Sequence, residues 1–470
     1  MEIIWLLKRL EKGKRKKEEH MVIFALDIGN KGIKMKSERG EYLYPASYFL
    51  ADTLLKQGVM AFEPNFVFRL EQEGPLFVWG RELEQLGTIE ERIDTFGYTD
   101  RVKQKKVLRI LFFALGRLAL DFPEVLNETL DLKVVLGVST PEMTDEIMAA
   151  LKAQLVGQHK LEVNGRVFTV VLKEENVSIA SQNLGTLLNF AFDEKLERNS
   201  RFSEARVGVF NIGGGAISVN QFASLNPTPR LSSHKEGVQE LIKTLGSKIN
   251  GNNLSQVEAL FYQKPGPYIY APHGRGNQDA SKDVSQEVRR VLENYTRFTL
   301  APLLTSQFSD LDKVDTIVLS GGGARLIVQP ALQDEIGQHY FERLLFSDLP
   351  EMSSVRGFYK AGRSLWEQEL MEVKVQPAKA VTPTPPRTDI HALHTVSHPV
   401  EASRQPVNLK EQVTMTQGSE TPQKEKQAEV RPQKQEVKPT PSNERVALRE
   451  VEETLAQRLR ETQSKWGIRS

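Results

Sequence analysis

A buried strand, a polar residue, a glycine turn and a second strand occur twice in this sequence. The first copy is Ala25-Leu26-Asp27-Ile28-Gly29-Asn30-Lys31-Gly32-Ile33-Lys34-Met35, and the second is Val209-Phe210-Asn211-Ile212-Gly213-Gly214-Gly215-Ala216-Ile217-Ser218-Val219. A glycine turn between strands lets backbone N–H groups converge on one point with no side chain in the way, which is how proteins grip phosphate. Two such turns, one in each half of the chain, predict a nucleotide held between two similar lobes.

At 470 residues the chain is too long for one compact core, so two domains with appendages are expected. The hydrophobic content of 39% is low for that length, and the deficit is concentrated near the C-terminus, where Pro, Gln, Lys, Glu and Thr dominate. A net charge of +1 argues against a dedicated nucleic-acid binder, which would carry a basic domain or stripe. Without cysteine, disulfide scaffolds and thiolate metal sites are excluded.

Met1–Leu10 is apolar but short, and its basic residues Lys12, Lys14, Arg15, Lys16 and Lys17 follow the apolar run, the reverse of a signal peptide. No later apolar run approaches the ~18–20 residues that span a bilayer, so a cytoplasmic protein is expected. Ile3, Trp5, Leu6, Leu7 and Leu10 beside the basic run offer residues 1–17 a weak contact with an anionic membrane. The plainer reading of residues 1–20 is a frayed basic extension ahead of Met21, because one or two helical turns are marginal alone.

Folding is expected to begin at Val22–Leu26, a continuous apolar run suited to a strand covered on both faces, with Ile33–Ser37 returning beside it. Further strands are predicted at Phe66–Leu70, Leu76–Val78 and Lys133–Val138. A helix is predicted from Lys103 to Leu120 on the stripe of Val107, Ile110, Leu111, Ala114 and Leu118. Thr140-Pro141-Glu142 predicts a helix start with proline in the first turn. Asn164-Gly165 predicts a hairpin between Leu161–Val163 and Val167–Leu172, because both residues tolerate positive φ. Helices are also expected over Gly185–Phe192, after Gly237, from Val284 to Leu304 and from Gly357 to Leu370. Thr316–Leu319 reads as the last buried strand, emptying into Gly321-Gly322-Gly323-Ala324.

From Lys374 to Ser442 prolines recur without period, and apolar residues are too few to offset the ~1–2 kcal/mol per residue that ordering costs. Residues 374–442 therefore read as a disordered linker, and His391, His394 and His398 within it as solvated polar residues instead of a metal site. Leu448, Val451, Leu455, Leu459 and Thr462 then fall at helical steps behind Asn443 as a candidate N-cap. An amphipathic helix over residues 443–466, tethered alone, needs a partner to bury its stripe.

In the first turn Asp27 ends a strand where it can hold Mg2+ through waters, since Mg2+ keeps several waters and prefers one or two carboxylates plus phosphates. Lys34 on the returning strand is placed to reach a phosphate oxygen. In the second turn Asn211 stands where a carboxylate would serve. The amides of Gly213, Gly214 and Gly215 still suit phosphate, whereas an uncharged amide attracts metal weakly and accepts no proton. Gly321, Gly322 and Gly323 follow a buried strand at the carboxyl edge of a sheet, where adenine or ribose can lie against bare backbone. Taken singly, each glycine cluster reads equally well as a tight turn.

Together, in this order and spacing, the three elements resemble the first phosphate loop, second phosphate loop and adenosine motif of the actin, Hsp70 and sugar-kinase superfamily. The chain is most similar to bacterial actin-like proteins of the plasmid-segregation type, ParM, StbA and their relatives. Gly321-Gly322-Gly323-Ala324-Arg325-Leu326-Ile327 resembles their adenosine motif, Val355-Arg356-Gly357-Phe358-Tyr359-Lys360 their closing helix, and Leu136-Gly137-Val138-Ser139-Thr140-Pro141 a strand end of theirs.

The resemblance implies a two-lobed actin-like ATPase fold with duplicated ribonuclease-H-like lobes and mixed sheets. Lobe I would span residues 21–182, lobe II 183–355, and a closing helix 356–373. It implies ATP or ADP with Mg2+ as cofactors. Asn30 and Lys31 would join Asp27, Gly29 and Lys34 in the first loop, and the helix after Gly237 would flank the nucleotide. Gln182, in Ser181-Gln182-Asn183-Leu184-Gly185, would orient the attacking water. Ala324 would close the adenosine motif. Relatives carry an aspartate and then usually a threonine where this chain has Asn211 and Ala216, so nucleotide binding is better supported than turnover.

The implied function is a filament-forming ATPase that moves plasmid DNA through an adaptor protein, with itself as filament partner and no strong direct nucleic-acid contact. A nucleotide-bound scaffold that scarcely hydrolyses, and that touches a membrane, is the alternative. A chaperone would need a β-rich domain after the lobes, and a sugar kinase a substrate-base aspartate; neither is evident.

Overall fold

The computed structural model describes residues 21–59, 61–70, 74–83, 86, 91–97, 103–125, 129–139, 142–251, 253–263, 267–272 and 281–371. The expectations for residues 1–20, the linker 374–442 with its three histidines, the helix at 443–466, and Thr140 and Pro141 all lie outside the described residues.

The run from Val22 to Ile28 is apolar on both strand faces apart from Asp27, and it forms β1 (Met21–Ile28) in the interior of a sheet. β2 (Gly32–Lys36) and β3 (Glu41–Pro45) add antiparallel on one side. On the other side comes β8 (Thr129–Val138), which is parallel to β1. The sheet is completed by β4 (Ser47–Leu50), β5 (Phe66–Arg69), β6 (Phe77–Trp79), β7 (Ile93–Asp94), β9 (Gly157–Val163) and β10 (Arg166–Ser181). Among the described residues its order is β3-β2-β1-β8-β10-β9-β5-β6-β4-β7.

A second sheet runs β13-β12-β11-β16-β17, from β11 (Arg206–Ile212), β12 (Ile217–Ala223), β13 (Asn226–His234), β16 (Thr316–Ser320) and β17 (Leu344–Phe346). A short ribbon of β14 (Ile269–Tyr270) and β15 (Lys282–Asp283) falls between β13 and β16 in sequence. The duplication is explicit in the pairing. β11 has an antiparallel partner, β12, and a parallel one, β16, as β1 has β2 and β8. Beyond these, β17 is parallel to β16 as β10 is to β8.

Helices α1 (Lys105–Ala119) and α2 (Asp145–Leu155) belong to the first half, and α3 (Gln182–Ala191) follows β10 directly. The second half carries α4 (Val238–Ile249), α5 (Leu254–Phe261), α6 (Ser285–Tyr295), α7 (Ala301–Gln307), α8 (Gln329–Ile336) and α9 (Ser353–Met371). The predicted stripe on α1 is buried, and Asn164 (φ 49°) and Gly165 (φ 76°) turn the predicted hairpin.

Glu142 lies in a 3-10 turn, and α2 begins after it: Thr144 caps the helix by accepting from the Ile147 amide, and Asp145 and Glu146 favour the first turn electrostatically. Two local expectations change. The helix expected over Val284–Leu304 forms without a gap from Ser285 to Gln307, but a π turn at Thr296–Leu300 separates α6 from α7 within it. The helix expected from Gly357 begins a turn earlier, at Ser353.

Each sheet has its own core, and a third apolar cluster lies between the sheets. There α3 and α9 are sandwiched, with Leu184, Leu187, Leu188, Phe358 and Trp366 packed against Ile23, Ala25 and Val135 of one sheet and Val207, Val209 and Val318 of the other. The two helices cross where both have glycine: a Cβ on Gly357 would lie 1.7 Å from the Gly185 carbonyl oxygen. Lys360 fastens the crossing by donating from Nζ to the carbonyls of Asn189 (2.9 Å) and Phe192 (2.8 Å) at the α3 C-terminus, where a cation suits the helix dipole.

α9 is also tied to the first sheet's edge by a two-pronged contact from Arg356 to Glu41 of β3. Arg356, with Lys36 nearby, holds the Glu41 carboxyl below its ordinary range. A carboxyl depressed in the folded state stabilises above its unfolded pKa of about 4.3, and loses that contribution as pH falls through the folded value. Glu41→Gln should therefore lower the melting temperature at pH 7, with the gap from wild type narrowing as pH falls below the unfolded value; a gap independent of pH would refute the assignment.

Candidate functional site

The carboxyl ends of β1 and β11 bring the two glycine turns together. Asp27, next to last in β1, stands opposite Lys34 of β2 and Gly137 of β8. The turn is closed by the Gly29 amide, which donates to the Gly32 carbonyl at 3.1 Å. Asn211 is likewise next to last in β11, opposite Ser218 and Ser320, and the Gly213 amide closes that turn on the Ala216 carbonyl at 2.9 Å. The amides of Asn30, Lys31, Gly214 and Gly215 take no part in these closing bonds.

The turns face one another directly. A Cβ at Gly214 would lie 2.5 Å from the Lys31 side chain, and one at Gly215 would lie 2.6 Å from Asn30 Nδ2. Asn30 is fixed in turn by accepting from the Gly97 amide at 3.1 Å. In the first turn Lys34 Nζ occupies the place a Cβ on Gly29 would invade, at 2.5 Å, and stands 3.3 Å from Asp27 Oδ2. Lys31 reaches across to the second half, with its ammonium 2.9 Å from Glu258 of α5. Arg92 makes a parallel crossing to Ser255 Oγ at 2.9 Å.

Gly237 is the N-cap of α4, and a Cβ there would strike Ala216 N at 2.6 Å and Gly213 O at 2.8 Å. The first amides of that helix, from Val238 and Gln239, donate to the carbonyls of Gly213 and Gly214 at 3.1 and 2.8 Å. The positive end of α4 is therefore locked onto the second turn. Gly321, at φ 81°, packs where a Cβ would lie 2.2 Å from Asn211 Oδ1 and 2.5 Å from Ile212 O. Gly323 is pressed on Ile212 and Val238, Ala324 is buried, and Gly322 has nothing within 4 Å of a Cβ position. The third glycine cluster thus joins the second turn through Asn211 and the start of α4.

Between the turns lies a polar chain, buried at Asp27 and Asn211 and half-buried at Gln182. Gln182, the first residue of α3, donates from Nε2 to Asp27 Oδ1 and accepts at Oε1 from Asn211 Nδ2 at 3.5 Å. Asp27 is 1% exposed and also accepts from Ser354 Oγ of α9. Asp27, Lys34, Gln182, Asn211, the two glycine turns, Gly237, Gly321 and Gly323 are therefore in mutual contact, with Lys31 directed partly away to Glu258; Gly322 and Ala324 are placed there only as neighbours in the third cluster. Sequence reasoning did not find Ser354, Glu258, Arg92 or Gly97, which come from distant segments with no local motif.

The arrangement suits an elongated, polyanionic ligand: bare glycine backbone that any Cβ would fill, one lysine inside the first turn, and a helix N-terminus behind the second. Among the described residues no group of three or more His, Asp or Glu could cage a metal ion. A single buried carboxylate fits a hydrated Mg2+ whose remaining ligands come from phosphate, and not an all-protein site. Among the described residues no helix is long and apolar enough to cross a membrane.

No protein-family model matches the chain, and neither does any curated protein. Solved structures do. The apo ParM protein of pSK41 superposes with a TM-score of 0.56 at 19% identity, over 74% of this chain and 99% of that one. A 15-stranded ParM filament from Clostridium botulinum gives 0.56 at 15% identity, over 73% and 99%. Bacillus thuringiensis ParM with ATP gives 0.54 at 16% identity, over 75% and 100%. The mixed α/β, two-lobed architecture of this chain is the actin-like fold.

Proposed function

We propose that the chain binds ATP and ADP with Mg2+ between its two sheets, and that the bound nucleotide governs assembly of the chain into filaments. The observation that carries this reading is the meeting of both glycine turns around the Asp27–Gln182–Asn211 chain. The turns at Gly29 and Gly213 would cradle the phosphates through the backbone amides of Asn30, Lys31, Gly214 and Gly215, with Lys34 as their counter-charge. Gly237 and the start of α4 would flank the nucleotide, and Gly321, Gly322, Gly323 and Ala324 would carry its adenosine end. Asp27 would hold Mg2+ through waters, and that ion would neutralise phosphate charge. Gln182 would orient the attacking water, as glutamines do in GTPases.

Support for assembly comes from sharing a fold with the Clostridium botulinum filament, and for the nucleotide from sharing it with the Bacillus thuringiensis protein solved with ATP. The finer role is plasmid segregation in the cytoplasm, with an adaptor between filament and DNA, since a net charge of +1 suits indirect contact. Residues 443–466 would recruit a further partner. Calorimetry with ATP and ADP, and electron microscopy of the protein with ATP, test this reading; no nucleotide binding and no filaments would defeat it.

Asn211 and Ala216 favour a second reading, a nucleotide-bound scaffold with little hydrolysis. Sedimentation with ATP and with a non-hydrolysable analogue separates the two, because equal assembly without released phosphate supports the scaffold. Gln182→Ala adds a sharper test. If Gln182 positions water, phosphate release should fall about tenfold or more while ADP affinity changes less than about threefold. A matching loss of affinity would make it a binding residue instead.

A further inference from the structure

The Asp27 carboxylate is buried and partnered from three elements. Gln182 of α3 donates to Oδ1, Lys34 of β2 stands 3.3 Å from Oδ2, and Ser354 of α9 donates to Oδ2. Ser354 has no place in either glycine turn. It lies in the first turn of α9, is 6% exposed, and its carbonyl oxygen packs 2.7 Å from where a Cβ on Gly185 of α3 would be. One side chain thus joins the end of β1 to the crossing of the two helices that sit between the sheets.

We propose that Ser354 is a positioning residue that reports metal–nucleotide occupancy to that crossing: it holds Asp27 in the empty site and yields it to the water shell of a divalent cation when nucleotide binds. This rests on the nucleotide reading above. A carboxylate has about four acceptor sites on its two oxygens, and three directions are already taken here. A hydrated Mg2+ approaches with its waters as donors to those same oxygens. Lys34 is charged and faces the phosphates, and Gln182 is on the other oxygen, so the neutral hydroxyl on Oδ2 is the partner that gives way.

A bond present in the empty state and weakened in the loaded one is a differential contact, and only differential contacts move a conformational equilibrium. The contact is well sited to act at a distance. Gly185 and Gly357 leave no slack at the crossing, so a shift of the first turn of α9 is passed to α3 and to both sheets.

The test is calorimetric titration of the full chain with ADP, once with Mg2+ and once with EDTA, for wild type, Ser354→Ala and Ser353→Ala. Removing the competing hydroxyl should tighten Mg-ADP binding roughly tenfold and change binding in EDTA less than about twofold, since the bond is to a charged acceptor. Ser353, whose hydroxyl bonds Ser347 Oγ at 2.9 Å and Leu349 O at 3.4 Å, supplies the neighbouring control and should change neither. Mg-ADP affinity that is unchanged or weaker in Ser354→Ala overturns the proposal. Wild type that binds ADP under neither condition overturns the nucleotide reading as well, which separates the two failures. Should Ser354→Ala not fold, hydrogen exchange on wild type decides: amides of residues 356–360 should exchange faster with Mg-ADP than with ADP in EDTA, and equal or slower exchange overturns the proposal.

Discussion

Gly357→Ala should leave little cooperatively folded protein, the largest stability loss expected from a methyl added at any of the described glycines. In an unconstrained helix the change would be favourable by about 1 kcal/mol, because alanine is the better helix former. At the α3–α9 crossing the added Cβ would stand 1.7 Å from the Gly185 carbonyl oxygen and 2.8 Å from the Asn189 amide nitrogen. Both are backbone atoms, so no side chain can rotate away, and the helices themselves must separate. Overpacking a core typically costs about 1–3 kcal/mol when side chains can adjust, so a backbone collision at half the normal contact distance belongs at or above the upper limit. The clash therefore outweighs the propensity gain. Thermal unfolding of Gly357→Ala beside Gly322→Ala, where a Cβ meets nothing within 4 Å, measures the difference. Similar melting temperatures for the two variants would show that the helices do not cross as described.

What could be read from the sequence was whatever is written in adjacent residues. Runs such as Val22–Ile28 and Thr316–Ser320 announce strands covered on both faces, and Asn164-Gly165 announces its hairpin, because the physical cause lies within a few positions. The glycine turns were legible for the same reason. Their repetition pointed to a duplicated architecture, which the matching pairings of β1 and β11 bear out.

Short strands at or next to a sheet edge were not legible. β4, β7 and β17 are short, and pairing rather than pattern makes them strands. The start of α2 is set by the Thr144 hydroxyl, which accepts from the Ile147 amide. The π turn at Thr296 arises inside an unbroken helical pattern, and its Oγ1 is bonded to the Leu292 carbonyl while also accepting from the Val328 amide, a tertiary contact. Ser354 is the extreme case. Its only functional signal is a hydrogen bond to a residue near the other end of the fold, and no window of sequence contains both partners.

Asn211→Asp should raise phosphate release by about tenfold or more, because a carboxylate can attract metal and assist an attacking water where the amide can do neither. The structure adds a consequence that the motif comparison alone does not. Gln182 now bridges two different partners, giving its amide hydrogen to Asp27 and receiving one from Asn211. With an aspartate at position 211 that second donor disappears. Two carboxylates would then flank one amide, and only one could take its Nε2 hydrogens in the present geometry. Without metal the site would carry like charges in a buried place, which is unfavourable until a cation or another donor arrives. The variant should therefore melt below wild type in EDTA and recover most of that loss with Mg2+ and nucleotide, while wild type depends less on metal. Phosphate release and melting temperature measured together make the outcome decisive. Increased release with metal-dependent recovery identifies Asn211 as the substitution that slows turnover, whereas no increase in release would mean that the amide is not what limits hydrolysis and would favour the scaffold reading.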